Sequence, residues 1–200
     1  MFLEVSMIEG LKPLYNTVLR PVARVLRRMG MTPNRATVVG AVLFAGAGIL
    51  TALGYWRIGV GVAFFGALFD GIDGLIAREF DMKTSFGAVL DSVCDRLTEI
   101  FCFAGLLWYY TVTAGGVSVG ILLTGAAMSG SLMVSYVRAR AEGAGISCSG
   151  GFMQRPERLI LLAMCQLAGG SVMIWGLGLL SVLSWATVIE RIAAVARSAR

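Results

Sequence analysis

The stretch IGVGVAFFGALFDGIDGLIAR, residues 58–78, decides how this chain folds. Apolar residues and glycine fill it from Ile58 to Phe69, and Asp70, Asp73 and Arg78 stand toward its far end. About 20 mostly apolar residues are enough to cross a bilayer as a helix. A helix is the element such a run must adopt, because lipid offers its backbone polar groups no outside partner. Acids at membrane depth are costly, so they mark a functional site by default.

The same reading extends outward. The chain has 200 residues, 57% hydrophobic and 14% charged, with mean hydropathy +0.79. Soluble domains run near about 45–50% apolar and about 25% charged. Six segments read as spans: 36–55, 58–78, 86–112, 116–138, 156–171 and 172–192. The fifth is short. Gly and Ala within 40–54 and 115–130 suit close helix packing in lipid. No polar linker divides the chain, and the first ten residues, with Glu4 and Glu9, do not read as a secretory leader. The expectation is an all-α polytopic membrane protein. Residues 1–30 form an amphipathic juxtamembrane segment and 31–200 a six-helix membrane domain. In the first segment Lys12, Arg20, Arg24, Arg27 and Arg28 alternate with Leu11, Leu14, Val18, Leu19, Val22, Val25 and Leu26, the pattern of a basic helix lying on a membrane surface.

Of the 17 lysines and arginines, all but Arg57 and Arg96 fall in segments that six spans place on one side. The bias toward basic cytoplasmic loops then sets both termini, and the aspartates, in the cytoplasm of a cell-membrane protein. A net charge of +5 arising this way points to anionic lipid or an anionic substrate, not nucleic acid. Arg197 and Arg200 read as topology markers, and Arg20, Arg24, Arg27 and Arg28 as headgroup contacts. Trp108, Tyr109 and Tyr110 read as an interfacial aromatic belt. Cys94, Cys102, Cys148 and Cys165 form no C-x-x-C pair and read as reduced packing residues. With no histidine in the chain, any metal site must be all oxygen, which suits Mg²⁺, Mn²⁺ or Ca²⁺.

Asp70 and Asp73 are i and i+3, and Asp91 and Asp95 are i and i+4, so each pair shares one helical face. Residues 74–86 turn the chain, letting the two pairs face each other. Four carboxylates gathered there would repel and protonate unless a cation neutralised them. Gly71, Gly74, Ala77 and Gly87 keep the approach bare, and Arg78 offers a fork for phosphate. The competing reading is a salt-bridge network of Asp95 with Arg96 or Arg78.

Written out, residues 70–95 read D-x2-D-G-x2-A-R-x8-G-x3-D-x3-D. This resembles the signature of the CDP-alcohol phosphotransferase family, with every fixed position present. The resemblance implies that a CDP-linked lipid such as CDP-diacylglycerol (or an archaeal CDP-lipid) gives its phosphate-linked group to a hydroxyl, releasing CMP. It implies Asp70, Asp73, Asp91 and Asp95 as ligands of two Mg²⁺ or Mn²⁺ ions, with Asp95 also the general base. It implies Asn34, Arg35, Ala36, Thr37, Gly74, Ala77, Arg78, Thr84 and Gly87 around the CDP-lipid, and a homodimer.

A second region, SYVRARAE from Ser135 and GGFMQRPERL from Gly150, resembles the branch of that family whose acceptor is inositol 1-phosphate. A phosphorylated acceptor needs its own anion pocket, expected from Arg138, Arg155 and Arg191. Arg140 and Arg158 have Glu142 and Glu157 as alternative partners, and Pro156 reads as a helix-start residue. The rivals are glycerol 3-phosphate as acceptor, giving phosphatidylglycerol phosphate, and, remotely, a cation transporter.

Overall fold

The structure, a computed structural model, describes residues 12–148, 151 and 153–198. Gly150, Phe152, Arg200 and residues 1–11 lie outside the described residues. Among the described residues seven α-helices follow one another: α1 (Lys12–Arg28), α2 (Pro33–Ala52), α3 (Trp56–Glu79), α4 (Ser85–Trp108), α5 (Ser118–Gly143), α6 (Arg155–Ala168) and α7 (Gly170–Ser198). A π-helical turn, Tyr109–Thr113, extends α4, and no strand occurs among the described residues.

The helix ends follow from local chemistry. Thr32 caps α2 by accepting from the Arg35 amide, and Pro33 opens the helix where a missing N–H costs nothing. The chain leaves α2 at Gly54, whose φ of +87° only glycine adopts easily. These two signals set α2 at 33–52, three residues ahead of the 36–55 expected. Thr84 caps α4 by accepting from the Gly87 amide at 3.0 Å. Pro156 lies in the first turn of α6, as expected. Helix α5 runs to Gly143, five residues past the expected end, so Arg138, Arg140 and Glu142 ride on helix. The break between the last two helices falls at Gly169, φ +68°, slightly before the expected boundary.

Helices α2, α3, α5 and α7 are long and apolar enough to cross a membrane. Val42, Ile49, Phe64, Phe65, Leu122, Trp175 and Val182 are exposed on them, as residues facing lipid would be. Helix α4 is equally long but carries Asp91, Asp95, Arg96 and Glu99, and α6 has only 14 residues. The chain is an all-helical membrane protein. Helices α2 and α4 meet backbone to backbone: a Cβ on Gly48 would strike the Phe101 carbonyl, and one on Gly105 would strike the Gly48 carbonyl. The core joins Phe44, Phe103, Leu106, Tyr110, Leu162, Met173, Leu177 and Leu180. All four cysteines are buried and unbridged, as expected.

Helix α1 buries Leu19 and Ala23 against Ile72, Leu75 and Ile76 of α3. Val18, Val22, Val25 and Met29 form a second, exposed apolar strip. Arg24 pairs with Glu79, and the Arg27 guanidinium lies 5.9 Å from the centre of the Phe80 ring. Two of the arginines expected at headgroups therefore have protein partners. Tyr110 departs from the expected aromatic belt, because its ring packs on Gly120 inside the core while Trp108 stays exposed.

Candidate active site

The starts of α2, α4 and α6 and the end of α3 meet at one end of the bundle. Asp70 faces α4 from α3, and Asp91 and Asp95 are one turn apart on α4. One carboxylate oxygen from each of these three lies within 4.8 Å of the others. The i, i+4 spacing on α4 and the single chain reversal through residues 80–84 produce this convergence. Asp81 in that reversal adopts φ +52°, a left-handed position aspartate tolerates better than most residues.

Asp73 is turned elsewhere. It is buried and accepts a 2.5 Å hydrogen bond from the Thr37 hydroxyl of α2. Its spacing of three from Asp70 rotates it about 60° short of a full turn, toward α2 rather than α4. The expected four-aspartate cluster is thus three convergent carboxylates and a fourth anchored to the start of α2.

Arg155, expected in the acceptor pocket, reaches into this cluster. Its Nη1 lies 3.0 Å from Asp70 Oδ2 and 2.7 Å from Asp95 Oδ1, and its Nη2 donates to Thr98 Oγ1 at 2.9 Å. The salt-bridge reading named Arg96 or Arg78 as the base. Arg96 is farther, at 3.8 Å from Asp95, and donates to the Ser92 carbonyl. Arg155 takes that place because α6 starts beside α3 and α4, which no spacing along the chain reveals.

The other two arginines have partners of their own. Arg138 is exposed and pairs with Glu142 at 2.8 Å, one turn on, taking the partner expected for Arg140. Arg191 is buried and donates from Nη1 to the Val134 carbonyl at 2.6 Å. Val134 and Arg138 are one turn apart on α5, so Arg191 and Arg138 approach the same stretch of that helix. Gly151 lies against the Arg191 guanidinium, where a Cβ would come within 3.2 Å of Nε.

Of the residues expected around the nucleotide, Asn34 meets Thr84 and Gly87 where α2 and α4 begin. A Cβ on Gly87 would meet Asn34 Oδ1 at 3.1 Å and Thr84 Oγ1 at 3.0 Å. The Arg78 guanidinium lies over Gly74, 3.1 Å from where a Cβ would be. Ala36 is fully buried, Ala77 is half-buried, and Arg35 is exposed with Nη1 donating to the Gly30 carbonyl.

One element escapes sequence reasoning altogether. Glu99 and Arg158 form a buried ion pair at 2.6 Å, with both side chains 2% exposed. Arg158 Nη1 also donates to the Met153 carbonyl at 2.7 Å, tying the loop before α6 to α4. Sequence proximity pairs Arg158 with Glu157; the true partner lies 59 residues away.

The family model for CDP-alcohol phosphatidyltransferase matches residues 30–195, which contain every residue of the site. The chain belongs to that family. It is therefore a phosphatidyltransferase of phospholipid metabolism. Within the family it is 38% identical over 184 residues to the phosphatidylinositol phosphate synthase of Mycobacterium bovis, covering 86% of this chain and 82% of that one. The Mycobacteroides abscessus synthase is 39% identical over 189 residues, covering 90% and 84%. A Mycobacterium marinum synthase is 41% identical over 158 residues, where the match covers 78% of this chain and 64% of that longer one. Among solved structures, the Mycobacterium tuberculosis phosphatidylinositol phosphate synthase with CDP-DAG bound superposes with TM-score 0.81 at 35% identity, covering 88% of this chain and 92% of that one. The same enzyme in complex with manganese and citrate gives TM-score 0.82 at 35% identity, over 88% and 87%.

The residues present fit a divalent cation. Asp70, Asp91 and Asp95 offer three convergent oxygens, the donor set that hard cations prefer.

Proposed function

We propose that this transferase moves the phosphatidyl group of CDP-diacylglycerol to the hydroxyl of inositol 1-phosphate and releases CMP. The observation that carries the reading is the convergence of Asp70, Asp91 and Asp95 where the end of α3 faces the start of α4, inside the complete signature. Likeness to phosphatidylinositol phosphate synthases over most of the chain supports the acceptor.

Asp70, Asp91 and Asp95 would hold divalent metal, with Asp73 as a further ligand steadied by Thr37; two Mg²⁺ ions suit this charge. When bound, metal supplies the positive charge that offsets the pyrophosphate and the departing CMP. The remaining work falls to the protein. Asn34, Thr84 and Gly87 line the nucleotide, and the bare backbone at Gly87 lets it approach closely. Arg78 binds the diphosphate. Asp95 takes the proton from the acceptor hydroxyl as its oxygen bonds to phosphorus and the bond to CMP breaks. Arg155 and Arg191, with Arg138 nearby, hold the acceptor phosphate, and Arg155 links that phosphate to the reacting centre.

In the membrane, α4 and α6 join the four apolar helices as six spans. The charged residues of α4 face protein and substrate rather than lipid. Helix α1 lies along the surface with Val18, Val22, Val25 and Met29 toward lipid. The aspartate end is cytoplasmic, because nearly all basic residues gather there. As in the family generally, the working unit is a homodimer.

Purified enzyme with CDP-diacylglycerol, Mg²⁺ and each candidate acceptor tests the reading through CMP release. Release with inositol 1-phosphate is expected. Release with glycerol 3-phosphate alone would replace the acceptor, and cation flux without CMP would make the chain a transporter.

A further inference from the structure

The opposite end of the bundle holds a cavity of about 530 Å³. It is an open hollow bounded by the α2–α3 turn, the π-helical turn after α4, and the break between α6 and α7. Its size is ordinary for a small-ligand site. Distance separates it from the aspartates: Asp91 and Tyr109 are 18 residues apart on one continuous helix, about 27 Å at 1.5 Å per residue.

The lining is rich in donors. Tyr110 is 4% exposed, and its hydroxyl has no hydrogen-bond partner among the described residues. The buried Trp56 Nε1, which can only donate, also has none. An orphaned buried polar atom is rare in a folded protein and calls for an explanation. Here there are two, on neighbouring side chains, with ring centres 6.4 Å apart. The first turn of α3 opens onto the same cavity without a side-chain cap, so its leading amides have no partner within the helix. The first residue of α7, Gly170, also lines it. Arg57 adds the one full positive charge, and no acid lines the cavity among the described residues. Gln166 is already occupied, its Nε2 donating to Thr51 Oγ1 at 3.2 Å.

Donors without acceptors, a guanidinium and an uncapped helix start together describe a receptor for an anion. We propose that this cavity binds one phosphate-bearing anion at the membrane face opposite the transfer site. Its position at the end of apolar helices sets it at headgroup depth, where an anionic phospholipid presents that phosphate; dissolved phosphate carries the same chemistry. Tyr110 continues the buried face of α4 from Phe103 and Leu106 and packs on Gly120, and the Thr113 hydroxyl pins the π-helical turn to the end of α2 by donating to the Ala52 carbonyl at 2.7 Å.

The test uses full-length enzyme in phosphatidylcholine nanodiscs, with phosphatidylglycerol added and retained lipid counted by native mass spectrometry. Tyr110→Phe removes the hydroxyl and keeps the ring, and Arg57→Gln alters an exposed side chain, so both should fold and release CMP at the wild-type rate. Each should weaken phosphatidylglycerol retention about tenfold, while phosphatidylcholine retention stays unchanged. Millimolar inorganic phosphate is then added as competitor. Displacement of the lipid supports a site that reads phosphate from either source, and no displacement supports a site that needs the lipid. Retention by both variants equal to wild type, or wild-type preference for neither lipid, overturns the proposal.

Discussion

Two ion pairs join α4 to α6, one turn apart, and they behave as opposites. Asp95 and Arg155 meet at 2.7 Å with both side chains 20% exposed. Glu99 and Arg158 meet at 2.6 Å with both 2% exposed. The outer arginine is shared among Asp70, Asp95 and Thr98, and its carboxylates also form the oxygen cluster. The inner arginine is fixed by Glu99 and the Met153 carbonyl. Similar chemistry on the same two helices is thus open to solvent at one level and sealed between the helices at the next. What separates the two is access to water and ligand.

The difference can be broken in steps. Chelation of divalent metal by EDTA should abolish CMP release, and added Mg²⁺ should restore it, while the thermal midpoint moves little because the inner pair needs no metal. Unchanged CMP release would remove metal from the outer site. Asp95→Asn should lower turnover by about 10²–10⁴-fold, the usual range for a lost general base, with the fold retained; a fully active variant would take the base role from Asp95. Glu99→Gln strands a buried guanidinium and should cost about 3–5 kcal/mol of stability, read as a lowered unfolding midpoint in detergent. Replacing both partners, as Glu99→Leu with Arg158→Met, should recover most of that loss. If the double variant is as unstable as the single, the inner pair is more than a strut. Arg155→Gln should raise the acceptor KM about tenfold, more than the CDP-lipid KM, and equal effects would dissolve the separate acceptor pocket. Thr37→Val removes the hydrogen bond to Asp73 and should reduce metal affinity a few-fold, the scale of the about 0.5–1.5 kcal/mol that a typical hydrogen bond contributes.

The parts of this architecture that depend on neighbours in sequence are legible from the residues alone. Apolar runs mark the helices to within a few residues. The i, i+4 spacing of Asp91 and Asp95 anticipates their shared face, and the glycines in 40–54 anticipate the tight α2–α4 contact at Gly48. The parts that depend on folding are not legible. Nothing local says that Arg155 will join carboxylates 60 and 85 positions away. Asp73 looks equivalent to Asp70 until α2 supplies Thr37. Tyr110 looks interfacial because the aromatic run at 108–110 sits at a span end, yet it continues the buried face of Phe103 and Leu106 at helical spacing. Glu157 is the nearer partner for Arg158, but adjacent helix residues point in different directions, and Glu99 waits across the interface.

The contact at Gly48 and Gly105 also acts as a fulcrum. Asn34 and Gly87 stand at the far ends of the two arms, 14 and 18 residues from it, about 21 and 27 Å along the helices. A methyl group inserted at the pivot would splay the arms, and a tilt of about 5° would carry Asn34 and Gly87 about 2 Å apart. A displacement of that size at a reacting centre can cost about 10²-fold in rate. The smallest side chains in the bilayer interior therefore set the gauge of a crevice they never touch.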